Sequence, residues 1–385
     1  MHQTNKQSFS PINCKRQGWM SGLLCLTLLL GAVPLRAQES ERLQRPNLPE
    51  GPKVAKRFEV TDRVWPEKPG EMGICLWKDD KLAAVSVTVD DNCAPDVPWW
   101  FEMSERYGFP VTWFVITRNI KDEGNAFGGT WKLWQSVLDK GHDVQSHTHT
   151  HLHVDEPDWQ DIEWEYRESK RLIEEKLPGH RVRFLAYPGG KNSGKNDREV
   201  AGRYYAGARG VTGVIPNVNA LDYMGTRCGS GRSLDNPKAS WADPRKILTP
   251  DHRAYRSWCI LLYHFMKEKP ENDPFFEFLR EESDSLWLAL FGDVSLYGQE
   301  RDTATIKTVA NAADGIAFDL SDEMDDTAFD YPLTIKVRLY DDWQQVAATQ
   351  GEKPVEAKVI EHEGARYALV QAVPDRGTVR LVPGS

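Results

Sequence analysis

The chain has 385 residues, 40% hydrophobic and 27% charged, with a formal net charge of −9. That length and apolar content can bury a sizeable core with room for two domains, and they exclude a disordered or fibrous chain. The acidic balance and the lack of a basic stripe exclude nucleic acid or another strong polyanion as the main partner.

Residues 1–37 read as a secretion signal: Lys15 and Arg16, an apolar stretch from Met20 to Leu30, then Val33-Pro-Leu-Arg-Ala37. The stretch is short for a membrane span, so no stable insertion is expected after cleavage, and a retained anchor is the alternative. Cys25 lacks the small residues that lipid attachment would want before it. Cleavage would remove Lys6, Lys15, Arg16 and Arg36 and no acid, taking the charge from −9 to −13. The expected location is secreted or periplasmic. Cys75, Cys93, Cys228 and Cys259 remain in a compartment that permits disulfides, with three pairings open, and Cys259 also reads as a core thiol.

Residues 38–74 carry Pro46, Pro49, Pro52, Pro66 and Pro69 among many charges and read as a surface leader. The pattern changes over 75–302. Leu82 to Val89 is an apolar β-branched run, Val97 to Tyr107 is helix-like, Val111 to Ile116 is a strand, Trp131 to Asp139 is helical, Asp143 to Ser146 is a strand and Asp158 to Lys176 is a long charged helix. The alternation continues through Phe184 to Ala186, Ile260 to His264 and Val294 to Glu300, which predicts a β/α architecture with parallel strands. Over 303–385 short runs such as Leu333 to Leu339 and Thr378 to Val382 alternate apolar and polar residues, which predicts a small all-β, sandwich-like domain. It reads either as carbohydrate-binding or as a structural appendage.

The chemistry concentrates in two places. Asp90-Asp91 closes the first strand, and His147, His149, His151 and His153 fall within seven residues directly after the Asp143 to Ser146 strand. Neutral imidazoles with a carboxylate hold zinc or a similar divalent ion and leave a position open. Neighbours on a strand face opposite ways, so Asp90 and Asp91 can share a pocket only where the strand ends. Along an extended strand, residues two apart lie about 7 Å apart and residues four apart about 13 Å. Either His147 and His149 bind together from a continuing strand, or the chain bends after Ser146 and His147 joins His151.

Val85-Ser-Val-Thr-Val-Asp-Asp91, Gly141-His-Asp-Val-Gln-Ser-His-Thr-His-Thr-His151, Phe184-Leu-Ala-Tyr-Pro-Gly-Gly190 and Ile260-Leu-Leu-Tyr-His264 occur in that order. Together they resemble the successive motifs of NodB-type polysaccharide deacetylases, carbohydrate esterase family four. The resemblance covers about residues 75 to 300 and implies a distorted (β/α) barrel, often seven-stranded. It also implies metal-dependent removal of acetyl groups from an acetylated carbohydrate, with Zn2+ the expected ion. On this likeness Asp91, His147 and His151 are the metal ligands, Asp90 the general base, His264 the general acid and Gly189 the oxyanion donor. His149 and His153 receive no role.

Two positions depart from the family pattern. Ala186 stands where many members carry an arginine that orients the base, with Arg209 and Arg227 as possible substitutes, and Asn92 stands where glycine is common. Two other functions stay open: hydrolysis of a small non-peptide amide by the same fold, and carbohydrate binding without catalysis.

Overall fold

The computed structural model describes residues 60, 62–124, 127–152, 159–190, 195–211, 213–230, 243–266, 269 and 273–384. The signal reading of 1–37, most of the leader and His153 lie outside the described residues. The order is β1 (Met72–Ile74), β2 (Ala83–Val89), α1 (Val97–Tyr107), β3 (Val111–Val115), α2 (Trp131–Asp139), β4 (Asp143–Ser146), α3 (Trp159–Lys176), β5 (Phe184–Ala186), α4 (Lys195–Tyr204), β6 (Gly207–Arg209), β7 (Gly229–Ser230), β8 (Trp258–Tyr263), α5 (Pro274–Glu281), β9 (Leu286–Leu288) and α6 (Phe291–Thr303).

Strands β6, β5, β4, β3, β2, β8 and β7 lie side by side in that order, all parallel. β9 pairs with Ala83 to Val85 of β2, below the stretch Val87 to Val89 that pairs with β3. A single parallel bridge, Arg209 to Thr226, carries pairing from β6 toward the segment that becomes β7. The result is the distorted (β/α) barrel expected from the motifs. Local signals punctuate it: the Thr130 hydroxyl accepts the Leu133 N–H at the start of α2, and Gly108 ends α1 at φ 75.

β2 is buried along its whole length, as a central parallel strand must be. Its odd positions, Val85, Val87 and Val89, pack with Trp113, Trp100, Tyr263 and Phe276 in the layer under the helices. Its even positions face the barrel interior. Ala84 packs there with Phe114, Phe184 and Trp258, and Ser86 Oγ accepts the Trp258 indole N–H at 3.1 Å. Asp90 continues this inward series by one step, which aims it at the barrel axis.

Helix α6 closes the N-terminal end of the barrel. The Phe291 N–H donates to Thr112 Oγ1, and Gln299 Nε2 donates to the Ala206 carbonyl that precedes β6. Gly292 is there because a Cβ would come within 2.6 Å of the Phe184 ring. The far side of α6 carries the second domain. β10 (Thr305–Ala312), β11 (Gly315–Ser321), β12 (Leu333–Arg338), β13 (Val346–Gln350), β14 (Lys353–Pro354), β15 (Ala357–His362), β16 (Ala365–Ala372) and β17 (Val379–Pro383) form two antiparallel sheets, ordered β1-β12-β16-β15 and β10-β11-β17-β13-β14.

The end of the expected leader therefore belongs to the sandwich, because β1 pairs with β12 from Met72 opposite Val337 to Ile74 opposite Ile335. Trp65 stacks on His362 with ring centroids 3.8 Å apart, which pins the chain before β1 to the same sheet. Phe291, Trp287 and Tyr297 share one apolar cluster with Ile335, Phe318 and Leu381, so barrel and sandwich have a continuous core. Cys75, Cys93, Cys228 and Cys259 are buried free thiols, so none of the possible bridges forms in this structure.

Glu300 on α6 is fully buried; one carboxyl oxygen accepts the Tyr331 N–H at 2.8 Å and the other has no partner. Burial pushes its carboxyl up to about 9. A raised acid favours the folded state fully below its unfolded value, about 4.3, and that contribution is lost as pH rises toward the folded value, at up to about 1.4 kcal/mol per unit. Glu300→Gln keeps the acceptor and removes the ionisation. Its thermal midpoint is expected to fall less than the wild type's between pH 6 and 9, as read by calorimetry at several pH values.

Candidate metal centre

Asp90 and Asp91 follow β2 at its C-terminal end, where the chain leaves extended geometry. Asp91, Asn92 and Cys93 take φ values of 59, 64 and 48, a left-handed run that costs non-glycine residues roughly 1–2 kcal/mol each. Asn92 holds the run in place. Its side-chain oxygen accepts the Ile116 N–H at 3.0 Å and its amide donates to the Gly128 carbonyl at 3.1 Å, in full burial. The side chain is therefore a clamp behind the pocket. The turn lets Asp91 face the same space as Asp90.

His147 follows β4 directly. Its Nδ1 donates to the Ala186 carbonyl at 2.8 Å, which turns the Nε2 lone pair inward. The next residues bend the chain: Thr148 has φ 68 and His151 φ 65. The His151 N–H donates to Thr148 Oγ1 at 3.0 Å, closing a tight turn. Asp91 Oδ1 then lies 3.4 Å from His147 Nε2 and 3.4 Å from His151 Nε2. His149 points elsewhere. Its Nδ1 meets Thr117 Oγ1 at 2.8 Å and its ring meets Trp164 edge-on, so the His147 and His149 pair is not the one that forms.

On β6, Arg209 is in register with Gly207, an inward position where a Cβ would meet Ser295 at 2.7 Å. Its guanidinium crosses the barrel interior over the Phe114 ring and donates from Nη2 to both carboxyl oxygens of Asp90, with Oδ2 at 2.5 Å. Arg209 is 0% exposed and Asp90 3%, so this is a fully desolvated pair. Arg227 is exposed, so of the two candidate cations it is Arg209 that meets Asp90. Opposite, His264 leaves β8 half-exposed with Nε2 3.9 Å from Asp91 Oδ2. Gly189, at φ 65, lies in the turn after β5 on the same face of the barrel.

Residues 78–206 match the family model described as polysaccharide deacetylase. Over that segment, about a third of the chain, the barrel is similar to that family. The matched segment runs from β2 through α4 and stops before Arg209 and His264. A gellan lyase of a Bacillus species is 35% identical over 375 residues, covering 90% of this chain and 15% of that protein. The chain thus spans under a sixth of the length of this relative. Among solved structures, a Mycobacterium smegmatis putative polysaccharide deacetylase aligns at 14% identity over 62% of this chain and 95% of its own, with a TM-score of 0.41. The Streptococcus pyogenes deacetylase PplD in complex with acetate aligns at 21% identity over 37% of this chain and 62% of its own, with a TM-score of 0.33.

The barrel offers a donor set that fits a divalent ion. Bonds of about 2.0–2.2 Å at tetrahedral angles set neighbouring ligand atoms about 3.3–3.5 Å apart, the separation found from Asp91 to each imidazole. Among the described residues, buried Asp91 Oδ1 has only the two imidazole Nε2 atoms facing it, at 3.4 Å, a place that an ion would satisfy. Burial pushes the Asp91 carboxyl up, but while the imidazoles carry protons His147, with His151 and His264 behind it, outweighs burial and holds it below the usual carboxylate range. Asp91 therefore stays ionised through neutral and mildly acidic pH, and is lost as a ligand only as pH falls through its lowered value.

Glu165, on α3, is a site residue that sequence reasoning missed. It is 4% exposed and accepts the His149 N–H at 2.9 Å, the Thr150 N–H at 2.7 Å and the Thr150 hydroxyl at 2.5 Å. Three donors on one carboxylate fix the turn that delivers His151. In sequence it is one of many acids on a charged helix, and only its burial distinguishes it. Glu165→Gln, which presents an amide to those donors, is expected to lower metal affinity about 10- to 100-fold, measured by competition with a chromogenic chelator. Unchanged affinity would remove Glu165 from the site.

Proposed function

We propose that this chain is a metal-dependent deacetylase that hydrolyses N-acetyl or O-acetyl groups of a poly- or oligosaccharide outside the cytoplasm. The observation that carries the reading is the convergence of Asp91, His147 and His151 beside an Asp90 locked by Arg209. Asp91, His147 and His151 would hold the ion, with Zn2+ suited to the mixed nitrogen and oxygen donors. When bound, such an ion lowers the pKa of water and polarises an acetyl carbonyl.

Asp90 is the group to take the proton from the attacking water, since Arg209 fixes both its oxygens and keeps it aimed along the barrel axis. Gly189, turned by its positive φ, offers a backbone N–H to the developing oxyanion. His264 stands across the pocket from Asp90 and would protonate the departing amine or alcohol. Phe127 and Phe265, both exposed with ring centroids 5.9 Å apart, form an aromatic lip beside His264, a surface suited to the apolar face of a sugar ring. Retention of this whole set argues against carbohydrate binding without catalysis, and the secretion signal expected over 1–37 argues against a small amide substrate.

The test is acetate release by the zinc-loaded and the chelator-stripped protein on N-acetylated chitin oligosaccharides, peptidoglycan fragments, acetylated xylan and gellan. Zinc-dependent acetate from any of them supports the reading. Double-bond products from gellan without acetate would point instead to the chemistry named for the Bacillus relative, and no turnover with any polymer would sink the proposal.

A further inference from the structure

We infer that a second cavity, on the opposite end of the barrel from the metal centre, binds a small amphipathic carboxylate through Arg256. The cavity holds about 520 Å³ and lies where the end of the leader, the barrel and the sandwich meet. Asp80 and Arg256 on its wall precede β2 and β8, whereas Asp90 and His264 follow those same strands. The two sites are thus at opposite ends of shared strands, and this inference does not rest on the deacetylase reading.

Arg256 is 2% exposed. Its backbone is fixed in the left-handed region, at φ 63, by its N–H donating to the Ile247 carbonyl and its carbonyl accepting the Trp77 indole N–H at 2.8 Å. Its guanidinium makes one long contact, Nε to the Leu82 carbonyl at 3.4 Å, and among the described residues no carboxylate forms an ion pair with it. Of the other charges on the wall, Asp62 is exposed to solvent and the rest are matched. Asp80 is engaged by Lys336 at 2.6 Å and Arg63 at 3.7 Å, and Arg301 by Asp302 at 2.6 Å.

Asp80 and Asp62 attract Arg256 from a distance without pairing with it; a buried guanidinium whose fork no carboxylate meets is costly, and a carboxylate ligand can meet that fork with two hydrogen bonds. Burial already weakens the hold of Arg256 on its proton. The remaining wall is largely apolar, from Val60, Met72, Ile74, Leu76 and Ala304, with Thr305 and the exposed Asp62 among them. One anionic head and a short hydrocarbon body therefore match the cavity better than a sugar, which would leave its hydroxyls unpaired against that wall.

Calorimetric titration of the full chain with octanoate tests this, with octylamine as the chain-matched cation and two variants. Saturable one-site binding of octanoate, weakened at least tenfold in Arg256→Gln and absent for octylamine, is the expected result. Ala304→Phe fills the apolar end without touching the arginine and is expected to abolish binding; it decides the matter if Arg256→Gln does not fold. Absence of saturable binding to the wild type, equal binding of octylamine, or octanoate affinity unchanged in the variants would each overturn the inference.

Discussion

Replacing Arg209 by Met is expected to lower kcat for acetate release at neutral pH by about 10²-fold or more, the range over which a general base operates. The side chain reaches both oxygens of Asp90 while neither residue touches solvent. Removing it leaves a buried carboxylate without a partner, a loss that typically costs about 3–5 kcal/mol and favours the protonated acid. A protonated Asp90 cannot accept the water's proton. Two readouts separate this role from general damage to the fold. The acid limb of the kcat profile should move to higher pH, because an unpaired buried acid must be titrated further before it works as a base. Arg209→Lys, which keeps the charge and loses the two-pronged fit, should recover part of the rate and part of the shift. A variant that is folded by circular dichroism, fully active and unshifted in its pH profile would show that Arg209 does not orient the base.

The reason Arg209 could be named but not placed lies in the length of its strand. β2, β8, α1, α2 and α3 have enough periodic residues to declare themselves, and their sequence bounds agree with the structure to within a residue or two, whereas α6 was read three residues short at each end. β6 has three residues and β7 two, too few for any period, and both were absent from the sequence reading. The inward face of β6 is set by its neighbours, through Gly207 against Ser295 and Phe184, and no local pattern reports that. The sandwich shows the same limit. β11 and β13 went unread between recognisable strands, and β1 was assigned to the leader because its partner β12 lies more than 250 residues later.

The split of the aspartate pair was legible for the opposite reason. Strand alternation alone requires Asp90 and Asp91 to face opposite sides unless the chain turns, and the three left-handed residues supply the turn. The histidine ambiguity was resolved by Glu165 and Thr148, whose hydrogen bonds coil residues 148–151 so that spacing four, not two, meets at Asp91. Both residues look ordinary in the sequence. A bend is a local event, but the group that stabilises it comes from a helix that begins eight residues further on.

Asp91→Ala and His147→Ala are each expected to abolish metal retention through a desalting column and to reduce acetate release to background. The proposed ligand set has three members: Asp91→Ala removes the oxygen that both imidazoles face at 3.4 Å, and His147→Ala removes one of those imidazoles. His147 should be the more damaging to structure, since it is 2% exposed and its ring also binds the Ala186 carbonyl, while His151 is more open to solvent. His149→Ala is the decisive control. It lies inside the same cluster and contacts Thr117 and Trp164, so it should retain one equivalent of metal and most of the rate. Metal counted by emission spectroscopy on all three variants distinguishes the arrangement seen here from one built on neighbouring strand positions. Loss of metal in His149→Ala with retention in an additional variant, His151→Ala, would reverse the assignment, because the bend after Ser146 is the only feature that selects one pair over the other.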